Sequence, residues 1–182
     1  MLNVSIVVGN PKPDSRTLQV ARSLVESTLE PRSYDLTVID LAHYADVLFA
    51  WPSEQLDALN QQIAGADLVV VASPTYKATY TGLLKAFMDR YPNKGLSGVV
   101  ALLMTGADLS HAMGMDVHLR PLLVELGACV PTAGLYFDMH NMDRLDEVVR
   151  DWASEHGVSL RSFLPGTDEA LVSGRADARV KR

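Results

Sequence analysis

The sequence predicts an α/β protein in which a parallel β-sheet carries helices on both faces. Short apolar runs rich in β-branched residues, such as Leu68–Ala72, have the length and composition of buried strands. These runs alternate five times with longer segments in which apolar residues recur every three or four positions. Such alternation is typical of right-handed βαβ units.

The predicted strands share short length and high β-propensity, and they are expected at Leu2–Val8, Tyr34–Asp40, Leu68–Ala72, Gly98–Met104 and Cys129–Phe137. The second strand alternates apolar and polar residues, so we expect it nearer to an edge of the sheet. The third strand is expected to stop before Pro74, because proline cannot donate to a sheet ladder.

The first three helices are predicted from their caps and apolar stripes. Ser15 is a favourable N-cap for the first helix, and Ser53 opens a second helix that Gly65 closes. A third helical pattern resumes at Leu83 and continues through Met88 after a polar loop.

Two further helices are predicted in the second half of the chain. One should cover His111–Leu126, with a bend or a lost hydrogen bond at Pro121. The last should be capped by Asn141 and end at Gly157. Residues 1–164 therefore form one predicted domain, and the Gly-, Asp-, Ala-, Ser- and Arg-rich segment 165–182 is predicted to be a flexible tail.

Composition narrows the functional classes. The formal net charge is −6 and no basic stripe is present, so nucleic acid and anionic membrane surfaces are not expected as main partners. No window reaches the length of a membrane span, and the first residues lack the pattern of a signal peptide. The single cysteine, Cys129, rules out an internal disulfide and favours a cytoplasmic setting.

Three loops are expected to meet at one edge of the sheet, because each follows the carboxyl end of a parallel strand. They are residues 9–17, 73–82 and 105–111. The first places Ser15, Arg16 and Thr17 at a helix N-terminus, where free amides, hydroxyls and a guanidinium suit a phosphate. The plainer alternative is that Ser15 only caps the helix.

The other two loops suit a flat ligand with polar edges. Residues 74–77 offer a proline, a hydroxyl, an aromatic ring and a lysine, and residues 105–107 offer a hydroxyl and backbone donors. A phosphate at the first loop and a planar ring system across the other two would describe flavin mononucleotide (FMN). Lys77 is equally well explained as a solvated loop lysine, and His111 as a residue that only bonds its local backbone.

Several other sites are not indicated. The loop after the first strand matches neither the G-x-G-x-x-G dinucleotide fingerprint nor the phosphate-binding P-loop. His111 and His118 lie seven residues apart without a third ligand, and the other histidines have no metal-like spacing, so no metal is predicted.

Four motifs carry a resemblance to a known family. They are Gly9-Asn-Pro with Ser15-Arg-Thr17, the stretch Ser73–Lys85 with Asp89, Thr105-Gly with His111, and Asp116–Pro121. On these residues, over roughly positions 1–140, the chain resembles the NAD(P)H-dependent FMN reductases. It looks closest to the sulfonate-linked FMN reductases of two-component monooxygenase systems.

The resemblance implies a flavodoxin-like three-layer αβα sandwich with strand order 2-1-3-4-5, and an enzyme that transfers a hydride from NAD(P)H to FMN. It implies a cytoplasmic homodimer or homotetramer that supplies reduced flavin to a monooxygenase. The residues implied to bind FMN or NAD(P)H are Asn10, Ser15, Arg16, Thr17, Pro74, Thr75, Tyr76, Lys77, Thr105, Gly106, Ala107 and His111.

The resemblance also implies a π-bulge near Asp116–Pro121, which makes His118, like His111, a candidate for a role close to the chemistry. Two alternatives stay open. A flavin-retaining reductase of quinones, azo compounds or chromate would share the fold and the site. A flavodoxin-like electron carrier is less favoured, because the first loop lacks the hydroxyl-rich phosphate motif of flavodoxins.

Overall fold

A computed structural model describes residues 1–166 of the chain. Its centre is a parallel five-stranded sheet of order β2-β1-β3-β4-β5, as the resemblance implies. The strands are β1 (Leu2–Val8), β2 (Tyr34–Asp40), β3 (Leu68–Pro74), β4 (Val99–Gly106) and β5 (Leu135–Asp138). The predicted flexible tail lies outside the described residues except for Pro165 and Gly166.

The α-helices are α1 (Arg16–Thr28), α2 (Glu54–Ala64), α3 (Gly82–Met88), α4 (Arg120–Glu125) and α5 (Leu145–Arg161). Ser15 and Ser53 are the N-caps of α1 and α2, as predicted, and each side-chain oxygen accepts a hydrogen bond from the amide three residues further on. The turns Leu41–Tyr44, Leu109–His111 and Met139–Arg144 are 3₁₀ helices, and Met115–Leu119 is a π-helix.

Two apolar layers hold the helices against the sheet. Alternate side chains of β1, β3 and β4 point to opposite faces, so Ile6 and Val70 pack with α1 and α5 while Val7 and Val71 pack with α2 and α3. Because β3 and β4 are buried on both faces, their sequences are continuously apolar.

The strands β3 and β4 each run two residues further than predicted. Pro74 is the last residue of β3, where its missing N–H interrupts nothing, and the amide of Thr75 continues the pairing by donating to the Thr105 carbonyl at 2.7 Å. This extension places Thr105 and Gly106 inside β4, at the edge where the ligand was expected, and not in a free loop.

The strand predicted over Cys129–Phe137 is wrong for its first six residues. Only Leu135–Asp138 is a strand, and Cys129 makes a single bridge to Val99. Pro131 and Gly134 explain this, because one lacks a donor and the other weakens a strand. The side chain of Arg120 supports the irregular segment instead, donating to the carbonyls of Val130 at 3.3 Å and Thr132 at 2.9 Å.

The single helix predicted over His111–Leu126 is also wrong. His111 ends a 3₁₀ turn, a π-helix follows at Met115–Leu119, and only α4 is regular. Pro121 falls in the first turn of α4, where a missing N–H is tolerated. The π-helix confirms the irregularity that the resemblance implies for this region.

The last helix starts later and ends later than predicted. Asn141 caps no helix: Asp138 caps the 3₁₀ turn Met139–Arg144 by accepting the His140 amide, and α5 begins at Leu145 without a side-chain cap. Gly157 does not end α5 but lies buried within it, and a Cβ at Gly157 would lie 3.0 Å from Nη1 of Arg161. Because Gly157 has no side chain, the Arg161 guanidinium can pass it and donate to the Thr28 carbonyl of α1 at 2.8 Å.

Across residues 1–166, none of the helices combines the length and the apolar character that crossing a bilayer requires.

Candidate functional site

A cleft of about 500 Å³ opens at the carboxyl edge of the sheet, where β1, β3 and β4 lie side by side. Its volume is within the usual range for small-molecule sites. The lining comes from the segments that follow these strands and from the turn after β5, namely Asn10, Lys12, Asp14, Ser15, Arg16, Thr17, Gln19, Pro74, Thr75, Tyr76, Thr105, Gly106, Ala107 and Met139.

One end of the cleft is the N-terminus of α1. The hydroxyl of Ser15 accepts the Leu18 amide at 3.3 Å, whereas the amides of Arg16 and Thr17 have no hydrogen-bond partner within residues 1–166. The first turn contains no acidic residue, and the Arg16 side chain is exposed. Free amides, the positive end of the helix dipole and the Arg16 side chain therefore all lie at this end of the cleft, which suits an anion.

Buried hydroxyls connect this end to the middle of the sheet. Thr17 Oγ1 lies 2.9 Å from Thr105 Oγ1 and accepts a hydrogen bond from Asn10 Nδ2 at 3.1 Å. Both threonines are almost completely buried. Because buried polar groups are costly unless paired, this contact fixes α1 relative to the end of β4.

The segment after β3 is fastened at its base. Thr81, the N-cap of α3, donates its hydroxyl to the Gly9 carbonyl at 2.5 Å, and its amide donates to Ser73 Oγ at 3.1 Å. Gly9 packs directly on α3, and a Cβ there would lie 2.5 Å from Cβ of Leu84. The loops after β1 and β3 therefore leave the sheet as one packed unit.

The tip of the same segment is a tight hairpin, Tyr76–Thr79, closed by backbone bonds of 2.8 and 3.2 Å between its end residues. Its central residues Lys77 and Ala78 have φ of 53° and 66°. Hairpins with positive φ at both central positions favour Asn-Gly, so Lys-Ala at these positions stores backbone strain. Tyr76 precedes the tip and presents its half-exposed ring to the cleft.

The strained tip rests on the start of the π-helical region. A Cβ at Gly114 would lie 2.4 Å from the Ala78 carbonyl oxygen, so only glycine allows this approach. The π-helix that follows is closed by the amide of Arg120, which donates to the Met115 carbonyl. Neighbouring Val117 and His118 are exposed and do not line the cleft.

Two carboxylates shape the turns at the remaining side of the cleft. The hydroxyl and amide of Ser110 hydrogen-bond to Asp108 and lower the pKa of its carboxyl. The His140 amide, which donates to Asp138 at 2.9 Å, lowers the pKa of that carboxyl in the same way. The Asp138 cap holds the turn that carries Met139 into the cleft.

Comparisons of the sequence with known proteins identify relatives that are FMN reductases. A sequence profile described as NADPH-dependent FMN reductase matches residues 2–141. An NADH-dependent FMN reductase, SfnF, of Pseudomonas putida is 35% identical over 78% of this chain and 83% of its own. The FMN reductase (NADPH) of Escherichia coli K12 is 33% identical over 75% of this chain and 73% of its own.

The chain belongs to the NADPH-dependent FMN reductase family. This confirms the resemblance seen in the sequence, the predicted class of oxidoreductase, and FMN and NAD(P)H as the family's cofactors. Among solved structures, an oxidoreductase of Corynebacterium diphtheriae superposes with a TM-score of 0.78 at 23% identity, covering 90% of this chain and 97% of that one, which supports the flavodoxin-like fold alone.

The cleft fits the family's cofactor in its chemistry. The α1 N-terminus supplies the donors that a phosphate needs without a competing carboxylate in its first turn. The planar ring of Tyr76 and the side-chain-free Gly106 line the other end. Within residues 1–166, no three His, Cys, Asp or Glu side chains are grouped as metal ligands.

The residues predicted to bind the cofactors fall into two groups. All except Lys77 and His111 line the cleft. Lys77 lies at the hairpin tip and His111 ends an exposed 3₁₀ turn, so neither side chain contributes to the lining.

Sequence reasoning missed four lining residues, Lys12, Asp14, Gln19 and Met139. Lys12 and Asp14 belong to the predicted phosphate loop, residues 9–17, and the length of that loop could have indicated that more of its residues line the cleft. Asp14 has φ of 50° and donates its amide to Asp40 of β2 at 3.0 Å, a long-range contact that no local pattern shows. Met139 follows β5, and the sequence alone did not show that this strand ends at Asp138 and that Met139 therefore lies at the cleft.

Proposed function

We propose that this family member reduces FMN with NAD(P)H in the cleft described above. In this proposal the FMN phosphate binds at Ser15–Thr17, and the isoalloxazine ring lies along Pro74–Tyr76 and Thr105–Ala107. The observation that carries the proposal is the unpartnered N-terminus of α1, which opens into the same cleft as the Tyr76 ring. An anion site and a flat wall within one cleft match a ligand with a phosphate and a planar ring.

When bound, FMN supplies the ring that accepts the hydride from reduced nicotinamide. The protein's residues have the tasks of binding and alignment. The Tyr76 ring offers a surface for stacking, and the Ala107 amide, which has no partner within residues 1–166, is available to an anionic ring edge. No side-chain base is required for hydride transfer, so His111 and His118 have no assigned part in it.

We further propose that the reduced flavin is supplied to a flavin-dependent monooxygenase. The similarity to an NADH-dependent FMN reductase of Pseudomonas supports a free-flavin role. The cleft is open to solvent on the side of the exposed Arg16 and Tyr76, which suits a ligand that exchanges. In this scheme FMN is a substrate as well as a cofactor.

The test is a steady-state assay of the purified protein with NADH and with NADPH, each with and without added FMN. We expect nucleotide oxidation that depends on added FMN, and the two nucleotides reveal the preference. Tyr76→Ala should raise KM for FMN without lowering the midpoint of urea unfolding. Oxidation no faster than background with both nucleotides would overturn the proposed activity.

A second candidate is a flavin-retaining reductase of azo compounds or quinones. It is favoured by similarity to an FMN-dependent NADPH-azoreductase of Staphylococcus saprophyticus, 31% identical over 70% of this chain and 72% of its own. The two candidates differ in whether flavin absorbance remains with the protein through purification. They also differ in whether a quinone or free FMN is the faster acceptor.

We also propose that the protein works in the cytoplasm as a homodimer or homotetramer. The single cysteine supports the compartment. Met113, Val117 and Val124 support self-association, because the segment from Met113 to α4 leaves these three large apolar side chains exposed. Light scattering coupled to size exclusion measures the assembly, and a monomer at micromolar concentration would contradict it.

A further inference from the structure

Tyr136 does not line the cleft, but its hydroxyl contacts Thr75, which does. It is paired with Met104 in the sheet, two residues before the end of β4. Its ring leans along the strand towards the carboxyl edge, and its hydroxyl accepts a hydrogen bond from the Thr75 hydroxyl at 3.3 Å. One side chain from β5 therefore spans β4 and contacts the residue that follows β3.

Gly106 makes this crossing possible. A Cβ built on Gly106 would lie 1.9 Å from the Tyr136 hydroxyl oxygen and 2.7 Å from Cζ. The phenol thus occupies the space that a side chain at position 106 would fill. Any other residue at that position would push the ring away from Thr75.

Thr75 is held from this side by two bonds. Its amide donates to the Thr105 carbonyl at 2.7 Å, and its hydroxyl donates to Tyr136. With its proton directed at the phenol, the Thr75 oxygen presents lone pairs to its other neighbours. The phenol therefore sets both the position of Thr75 and its role as a hydrogen-bond acceptor in the cleft.

We propose that Tyr136 is a positioning residue for FMN, acting through the hydroxyl of Thr75. This inference rests on the proposed placement of FMN in the cleft. Loss of the phenol oxygen frees the Thr75 hydroxyl to rotate, so the cleft wall becomes less preorganised while the aromatic packing stays intact.

The experiment is a double-mutant cycle on FMN affinity, measured by quenching of flavin fluorescence, with Tyr136→Phe, Thr75→Val and the double variant. Each single change should weaken FMN binding by about three- to tenfold, the range for one neutral hydrogen bond. The FMN affinity of the double variant should be no lower than that of the single variant with the lower affinity, because both changes remove the same hydrogen bond. Effects that multiply, or an unchanged affinity in Tyr136→Phe, would overturn the inference.

Tyr91→Phe is the matched control. The Tyr91 hydroxyl is buried and donates to the Asn60 carbonyl at 3.3 Å, away from the cleft. This change should lower the midpoint of urea unfolding and leave FMN affinity unchanged. In Tyr136→Phe we expect the opposite pattern, with a raised KM for FMN and a kcat within about twofold of wild type.

A second variant and a reference measurement keep the outcomes separate. Gly106→Ala displaces the phenol without altering it and should weaken FMN binding at least as much as Tyr136→Phe. If wild type binds FMN but Arg16→Ala does not weaken that binding, the placement of FMN in this cleft fails. If Arg16→Ala weakens binding and Tyr136→Phe does not, the placement stands and only the role of Tyr136 is rejected.

Discussion

The two ends of the cleft are built in opposite ways. The anion end is the start of a regular thirteen-residue helix, capped by Ser15, with free amides that follow from helix geometry alone. The ring end is the hairpin Tyr76–Thr79, which is strained at Lys77 and Ala78 and held by its contact with Gly114. One end therefore depends on local structure, and the other depends on packing between distant segments.

The largest effect is expected from Gly114→Ala, which attacks the ring end. The new methyl would collide with the Ala78 carbonyl, so we expect about 1–3 kcal/mol less stability to unfolding in urea, together with weaker FMN binding. Gly82→Ala is the control, because nothing lies within 4 Å of a Cβ there. If both variants were equally stable, the hairpin would not depend on this contact.

The anion end is tested next, with Arg16→Ala. Loss of the guanidinium should weaken FMN binding by about tenfold, since a hydrogen bond to a charged group is lost. Binding of riboflavin, which has no phosphate, should not change. Arg22→Ala removes the same charge six residues further along α1, outside the cleft, and should leave the binding of both ligands unaffected. Equal losses for FMN and riboflavin would argue against a phosphate at α1.

A smaller and opposite effect is expected from Ala78→Gly. Glycine accepts φ near 66° without steric cost, so we expect the protein to gain about 0.5–1 kcal/mol despite the added freedom of the unfolded chain. FMN affinity should stay within about twofold. Ala86→Gly in α3 should instead destabilise the protein, since glycine is unfavourable within a helix. Destabilisation by Ala78→Gly would show that the hairpin is unstrained.

The smallest effect concerns the turn that carries Met139. The pKa of Asp138 is lowered in the folded state, so its contribution to stability is present above the unfolded pKa and is lost as pH falls through the lower folded value. Asp138→Asn should therefore lose less stability on acidification from pH 7 to about pH 3 than wild type. Asp46→Asn is the charge-matched control, because it removes an exposed carboxylate that has no hydrogen bond within residues 1–166. Parallel curves for all three proteins would contradict the role of the cap.

The difference between local structure and long-range packing also explains which features could be predicted from the sequence. The caps of α1 and α2 and the anion end follow from local patterns, such as Ser15 before an amphipathic segment, whereas the strand order was implied by the family resemblance. The contact of Gly114 with Ala78 and the crossing of Tyr136 over Gly106 join segments that are far apart in sequence. The sequence did not indicate that Lys77 lies at a hairpin tip outside the cleft lining, because a Lys-Ala pair does not favour a turn with positive φ at both central positions.

The guanidinium of Arg120 has a consequence for hydrogen exchange. It holds the segment between Cys129 and β5 by the carbonyls of Val130 and Thr132, whereas the amides of Val130, Thr132, Ala133 and Gly134 have no acceptor within residues 1–166. Protection is conferred on amides and not on carbonyls, so this segment should exchange with deuterium within seconds while the adjacent β4 stays protected. Fast exchange there would report an ordered segment fixed by a side chain, and it would not indicate disorder.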